Sequence, residues 1–200
     1  ILNTGLATPA TGFTIPYSCR FDGTAYLTRT MATPTSNQKF SYSFWFKRGV
    51  ITPSAQVTLF GVGASGADFA GIHIHDSDYL SQYEYYSSYY LRNHNSAIKL
   101  RDPSAWMHYL IAIDTTQDAA DDRSKIYLNG VEQTIWGDDD IPAEDLALRS
   151  FNSAQEWVIG AAFNYSDPWN GYFAEMHWID GTQLTPSSFG ETGDYGEWKP

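Results

Sequence analysis

Cysteine is almost missing from this chain. Cys19 is the one thiol among 200 residues, so no internal disulfide can form and the fold must be held by its own core. It sits in a strand-like run, Tyr17 to Phe21, and is expected to be a small buried hydrophobe. Positive charge is scarce as well. Twelve Lys and Arg stand against 23 Asp and Glu, a net charge of −11. That balance excludes binding to nucleic-acid phosphates or to an anionic membrane surface. No apolar run approaches the roughly 20 residues of a membrane-spanning helix, which excludes insertion by that route. A signal peptide is not visible and the chain begins with Ile, so it reads as a fragment or a processed chain. Heptads and internal repeats are absent too.

Aromatic residues are abundant. They make up 16% of the chain, with 14 Tyr and 7 Trp. At this length a real core can be buried without staples. The strongest pattern runs from Arg101 to Thr134. Trp106, His108, Leu110 and Ala112 alternate with Met107, Tyr109, Ile111 and Ile113, a period of two with both faces largely apolar. Lys125–Leu128 then meets Asn129-Gly130, which suits a type I′ hairpin turn because both central residues need positive φ. A strand with two apolar faces needs a layer on each side, so the chain is expected to be an all-β sandwich.

The remaining segments agree. Residues 1–17 are rich in Thr, Pro, Gly and Ala and read as an extended arm, leaving 18–200 as one domain. Ser18–Leu27 suggests two short strands about an Asp22-Gly23 turn. Phe40–Lys47, Val57–Gly61, Ala70–His75, Glu156–Ala161 and Gly171–Ile179 read as strands, Tyr79–Arg92 as a tyrosine-rich hairpin, and Trp136–Ser150 as an acidic loop. Many short strands with almost no helix point to a jelly roll of two antiparallel sheets.

The segments FDGTAYL, FSYSFWFKRG, LRDPSAWMHYLIAIDTTQ, DRSKIYLNGVE, WVIGA, GYFAEMHWIDGTQLTPSSFGE and GEWKP, in that order, resemble the concanavalin A-like lectin/glucanase superfamily, in particular its laminin G-like and pentraxin-like branch. The pattern Arg-Asp-Pro-x-Ala-Trp-x-His, with Phe-Gly-Glu-Thr-Gly before Trp-Lys-Pro, is similar to versions in structural proteins of tailed phages and environmental viruses. The resemblance implies a concanavalin A-like jelly-roll β-sandwich. It also implies a binding module for glycans or proteins, often with Ca²⁺ at the sandwich rim, on a virion or at an extracellular or cell surface. In a virion such a domain would recur in many copies, as an oligomer within an assembly.

Catalysis of the glucanase kind needs two carboxylates flanking the bond. The Glu-x-Asp-x-Glu strand of the superfamily's enzymes is absent, and Glu175 has no acidic neighbour two residues away. We therefore expect no enzyme, with Glu175 in a structural hydrogen bond or at the rim. Gly61-x-Gly63-x-x-Gly66 precedes a strand rather than a helix and is a loop, not a dinucleotide site. His73, His75, Asp76 and Asp78 could ligate a transition metal but are read as surface residues. His108 and His177 are read as satisfied, semi-buried side chains. Calcium wants several loop oxygens. The candidates are Asp114 with Asp118, Asp121 and Asp122; Asp167 with Asp180; and first of all Asp138, Asp139 and Asp140.

For carbohydrate, Tyr83, Tyr85 and Tyr89 share one strand face and could stack on sugar rings while their hydroxyls bond sugar hydroxyls. Trp169 and Asn170, at what reads as a turn tip, form a second candidate. The leading expectation is a non-catalytic recognition or adhesion domain on a phage tail fibre or capsid, binding a cell-surface glycan. The alternatives are a purely structural virion protein contacting other virion proteins, and a degenerate glucanase.

Overall fold

The computed structural model describes residues 15–51, 55–87, 89–133 and 135–200, the side chains of 89–94, 97 and 135–140 excepted. Among them the chain forms β1 (Cys19–Asp22), β2 (Leu27–Thr30), β3 (Lys39–Arg48), β4 (Val57–Ser65), β5 (Asp68–Ile74), β6 (Tyr79–Tyr86), β7 (Tyr89–Lys99) and β8 (Met107–Asp114). After one turn of helix follow β9 (Ser124–Leu128), β10 (Val131–Glu132), β11 (Ile135–Asp140), β12 (Glu156–Ile159), β13 (Asn170–Asp180), β14 (Glu191–Thr192) and β15 (Trp198–Lys199). A six-stranded sheet, β1-β13-β3-β8-β9-β10, packs on a seven-stranded sheet, β11-β7-β6-β5-β4-β12-β2. Among the described residues the strand pairings within them are antiparallel. This is the expected jelly-roll sandwich.

Strand β8 shows why two layers are not enough. All eight of its residues are buried. Tyr109, Ile111 and Ile113 face the main core with Phe40, Phe44, Phe60 and Phe173. Their alternates, Leu110 and Ala112, point away from the core and meet Tyr127 and Phe189. The segment after β13 therefore covers the β8–β9 part of the outer face of the six-stranded sheet, and Trp198 lies 5.8 Å from His108, ring to ring; depressions of about 350 and 680 Å³ remain over β3 and β13, lined among others by Trp45, Ala174, Glu175 and His177. Asn129 and Gly130 take φ of +50° and +76°, the positive values that a type I′ turn requires.

The ends of the two sheets are tied by charge. Arg48 and Asp78 are each 1% exposed, and Arg48 Nη1 reaches Asp78 Oδ1 at 2.8 Å. Arg101 Nε donates to Asp78 Oδ2 at 3.2 Å, and Arg48 also donates to the Leu100 carbonyl. A buried charge held this way is costly to strip of its partner.

The two short strands expected about the Asp22-Gly23 turn are present but do not pair with each other, because β1 pairs with β13 and β2 with β12. Asp22 Oδ1 accepts the backbone N–H of Thr24 and Ala25, and this turn carries the chain from one sheet to the other. Three expectations need correction. Cys19 is exposed, since β1 is a short edge strand with solvent on one side. Ile135–Asp140 is a strand paired with β7 rather than a loop; an edge position tolerates acidic residues. Trp169 is 1% exposed, because the loop folds inward and seats the indole on Phe46 and Phe173.

Candidate functional site

The outer face of the seven-stranded sheet is built differently. In β5 and β6 the core takes Ala70, Ile72, Ile74 and Leu80, so alternation sends Phe69, Gly71, His73, Ser81, Tyr83 and Tyr85 to the opposite side. The register sets Phe69 beside Tyr85, Gly71 beside Tyr83 and His73 beside Ser81. Phe69 lies edge-on to Tyr83 at 5.6 Å and 5.4 Å from Tyr85. The His73 ring stacks on Tyr83 at 4.7 Å and 13°. Gly71 is the residue that permits this, since a Cβ there would collide with the His73 ring.

The loop after β12 forms one wall. A Cβ at Gly61 would fall 2.7 Å from the Ala162 carbonyl carbon, so β4 must be bare there for the loop to lie down. Phe163 then stacks on Phe69 at 5.2 Å and 27°. Asn164 Oδ1 accepts from Ser166 Oγ at 2.8 Å. The result is a depression of about 120 Å³ whose lining includes Gln56, His73, Tyr83, Phe163, Asn164 and Asp167. That is a fraction of the roughly 300–1,000 Å³ of a drug-sized site and suits one unit of a chain lying across the sheet.

Its polar groups are set from below. Gln56 Nε2 donates to His73 Nδ1 at 2.9 Å, and Thr58 Oγ1 is 2.9 Å from the same nitrogen. Burial drives the His73 pKa down to about 3, so the imidazole is neutral at physiological pH. Asp167 is the acidic group of the lining. Neutral aromatic edges, amides and one carboxylate can stack on a ring and exchange hydrogen bonds with hydroxyls, whereas the glucanase reaction needs a pair of carboxylates and Asp167 is the one in this lining.

Residues 21–188 match the family described as the concanavalin A-like lectin/glucanases superfamily. The chain belongs to this superfamily. No curated protein matches it in sequence. Among solved structures it is similar to the heptameric SAP-like pentraxin from Limulus polyphemus, at 14% identity and a TM-score of 0.57 over 86% of this chain and 78% of that one. It is also similar to the mouse laminin alpha1 chain domains LG4-5, at 10% identity and TM-score 0.59 over 88% and 45%. A third is the CBM40 of Ruminococcus gnavus IT-sialidase bound to alpha2,3 sialyllactose, at 11% identity and TM-score 0.53 over 76% and 81%.

On this concanavalin A-like frame the expected residues separate. Tyr83 and Tyr85 come together with Phe69, His73 and Phe163, which the sequence reading had not joined to them. The alternation of β5 against β6 was the available signal. The side chain of Tyr89 lies outside the described residues. Trp169 cannot offer a face to a sugar from inside the core. Asn170 is engaged by Arg20 at 2.9 Å and donates to the Asp22 carbonyl at 3.2 Å.

The side chains of Asp138, Asp139 and Asp140 lie outside the described residues. Asp114 is saturated by Thr116, Gln117 and Lys39. Asp180 is taken by Thr35 and Asn152. His73 is tied to Gln56 and Thr58, and Asp78 to two arginines, so the proposed transition-metal set is dispersed. Among the described residues no three His, Cys, Asp or Glu converge for an ion, and the donors there do not fit calcium.

Glu175 lies on a bulge of β13 between Ala174 and His177, with φ of +46°. Its carboxylate is 3.1 Å from His177 Nε2. His108 is fully buried, with its Nε2 2.8 Å from Ser43 Oγ, whereas His177 is exposed.

Proposed function

We propose that this domain is a non-catalytic carbohydrate-recognition module that binds through the outer face of its seven-stranded sheet. The observation that carries the reading is the aromatic group of Phe69, His73, Tyr83, Tyr85 and Phe163 beside a polar rim. Aromatic rings bind sugars with little loss of side-chain entropy, and Tyr hydroxyls add hydrogen bonds. Similar domains support it: one is a CBM40 bound to sialyllactose, and another is domain 4 of an extracellular arabinanase from Geobacillus stearothermophilus in complex with arabinotriose.

The proposal extends to the setting. The resemblance of Arg101–His108 and Phe189–Pro200 to viral structural proteins supports a virion-surface setting, in which repeated copies would give avidity. The heptameric pentraxin is a precedent for this frame in an oligomer. A glycan array followed by calorimetry tests the reading. We expect binding to a defined glycan that Tyr83→Ala reduces at least tenfold. Failure to bind any glycan, alongside ordered contacts to other virion proteins, would sink it in favour of a purely structural role.

A further inference from the structure

A second opening lies on the flank of the sandwich, away from the aromatic face. Strand β1 accompanies β13 only from Asn170 to Phe173. At Gly23, whose φ is +91°, the chain leaves for the other sheet and continues as β2. The later half of β13 therefore has β3 on one side only, and the space between it and β2 opens into the sandwich. A cavity of about 460 Å³ lies there, lined among others by Leu27, Arg29, Tyr42, Phe60, Trp157 and Trp178. That volume falls within the roughly 300–1,000 Å³ of small-molecule sites, whereas close-packed cores keep few voids larger than a water.

The lining has a defined chemistry. Trp157 and Trp178 meet at 4.1 Å and 62°, Phe60 stands edge-on to Trp157 at 5.4 Å, and Tyr42 lies 5.0 Å from Trp178. Trp178 Nε1 donates to Asn152 Oδ1 at 3.0 Å. Tyr42 Oη and Trp157 Nε1 are buried and have no hydrogen-bond partner among the described residues. Buried donors of this kind call for an acceptor. In a chain of net charge −11, the charged residue of the lining is a cation, Arg29. Met31 and Met176 complete the wall, and their flexible thioethers adapt to a guest.

We propose that this inter-sheet cavity binds a small planar aromatic carboxylate. Its ring packs among Trp157, Trp178 and Phe60, its carboxylate pairs with Arg29, and a ring oxygen answers the indole or phenol donor. The inference does not depend on the glycan reading.

The test is a titration of the whole chain with 6-hydroxy-2-naphthoate, followed by calorimetry and by the ¹⁵N-resolved indole N–H signals. The Trp157 signal should shift saturably. Arg29→Ala, a change on an exposed edge strand, should weaken binding about tenfold, the loss of one charge-assisted pair. Leu27→Trp, which fills the mouth, should abolish it. No saturable shift at millimolar probe, or the same affinity in Arg29→Ala, would overturn the proposal. So would a concentration-dependent dimer that Leu27→Trp dissolves, because the opening would then belong to a second copy of the chain.

Discussion

The two sheets carry comparable aromatic loads on their outer faces and use them differently. On the six-stranded sheet Leu110, Ala112 and Tyr127 are buried under Phe189, and the His108 ring lies beneath Trp198 and Phe189. On the seven-stranded sheet Phe69, Tyr83 and Tyr85 are only half-buried and meet one short loop at Phe163. Each sheet needs an inner face to make the core. The C-terminal segment then turns the β8–β9 part of one outer face into more core, while the aromatic cluster of the other meets the loop after β12. In our proposal the half-buried aromatic cluster of the seven-stranded sheet is the binding face.

This contrast can be broken most forcefully at Leu110. It is fully buried but outside the main core, so Leu110→Ala should cost about 2–5 kcal/mol. Chemical denaturation would measure it, and sugar binding by the folded fraction should be unchanged. A cost below about 1 kcal/mol would mean that the C-terminal segment covers the face without packing on it.

Acid probes both faces at once. Burial lowers the His73 pKa to about 3. Burial, helped by the charge of His177, lowers His108 to about 4. Both are neutral in the fold and take up a proton on unfolding once the pH drops below about 6.5. Their contribution is complete above that value and is lost as pH falls toward 4. The slope is about 1.4 kcal/mol per pH unit for each proton. Denaturation midpoints from pH 7 to 4 should show this decline, and His108→Gln should remove one proton from it; an unchanged slope would contradict the buried neutral state. Asp114 works over a lower window. Its burial is outweighed by hydrogen bonds from Thr116, Gln117 and Lys39, which hold it near 2. Its contribution is present above about pH 4 and fades as pH falls toward 2.

The next effect is on binding. Tyr83→Ala and Tyr85→Ala should each reduce glycan affinity by at least tenfold, about 1.4 kcal/mol, while lowering the melting temperature less than Leu110→Ala does. If binding and stability fall in parallel, the tyrosines are sheet packing and the two faces do not differ in role. Smallest of all, Cys19→Ser on the exposed edge should change stability by no more than about 0.5 kcal/mol.

Much of the frame was legible in the chain. The double-faced alternation of Trp106–Ile113 announces a strand with layers on both sides, and Asn129-Gly130 fixes its hairpin. What covers the second face was not legible, because Phe189 and Trp198 lie in turn-rich sequence with no period of their own. Trp169 misled for a related reason: a Pro-Trp-Asn-Gly run reads as a tip, and only tertiary packing reveals that it folds inward. Tyr83 and Tyr85 follow from alternation alone. Their neighbours His73, Phe69 and Phe163 come from two other segments, and only the register of β5 on β6 and the glycine gaps at Gly61 and Gly71 bring them together. Asp22-Gly23 carries the chemistry of a reversal, yet it moves the chain between sheets, since β1 pairs with β13 and β2 with β12.

The most direct measurement is a backbone ¹⁵N chemical-shift map recorded as a glycan selected on the array is titrated into the protein. Saturable shifts confined to β4, β5, β6 and residues 163–167 would place the ligand on the half-buried aromatic face. Shifts centred on β3, β8 and the C-terminal segment, with the Tyr83 and Tyr85 amides unmoved, would contradict the assignment of the working face.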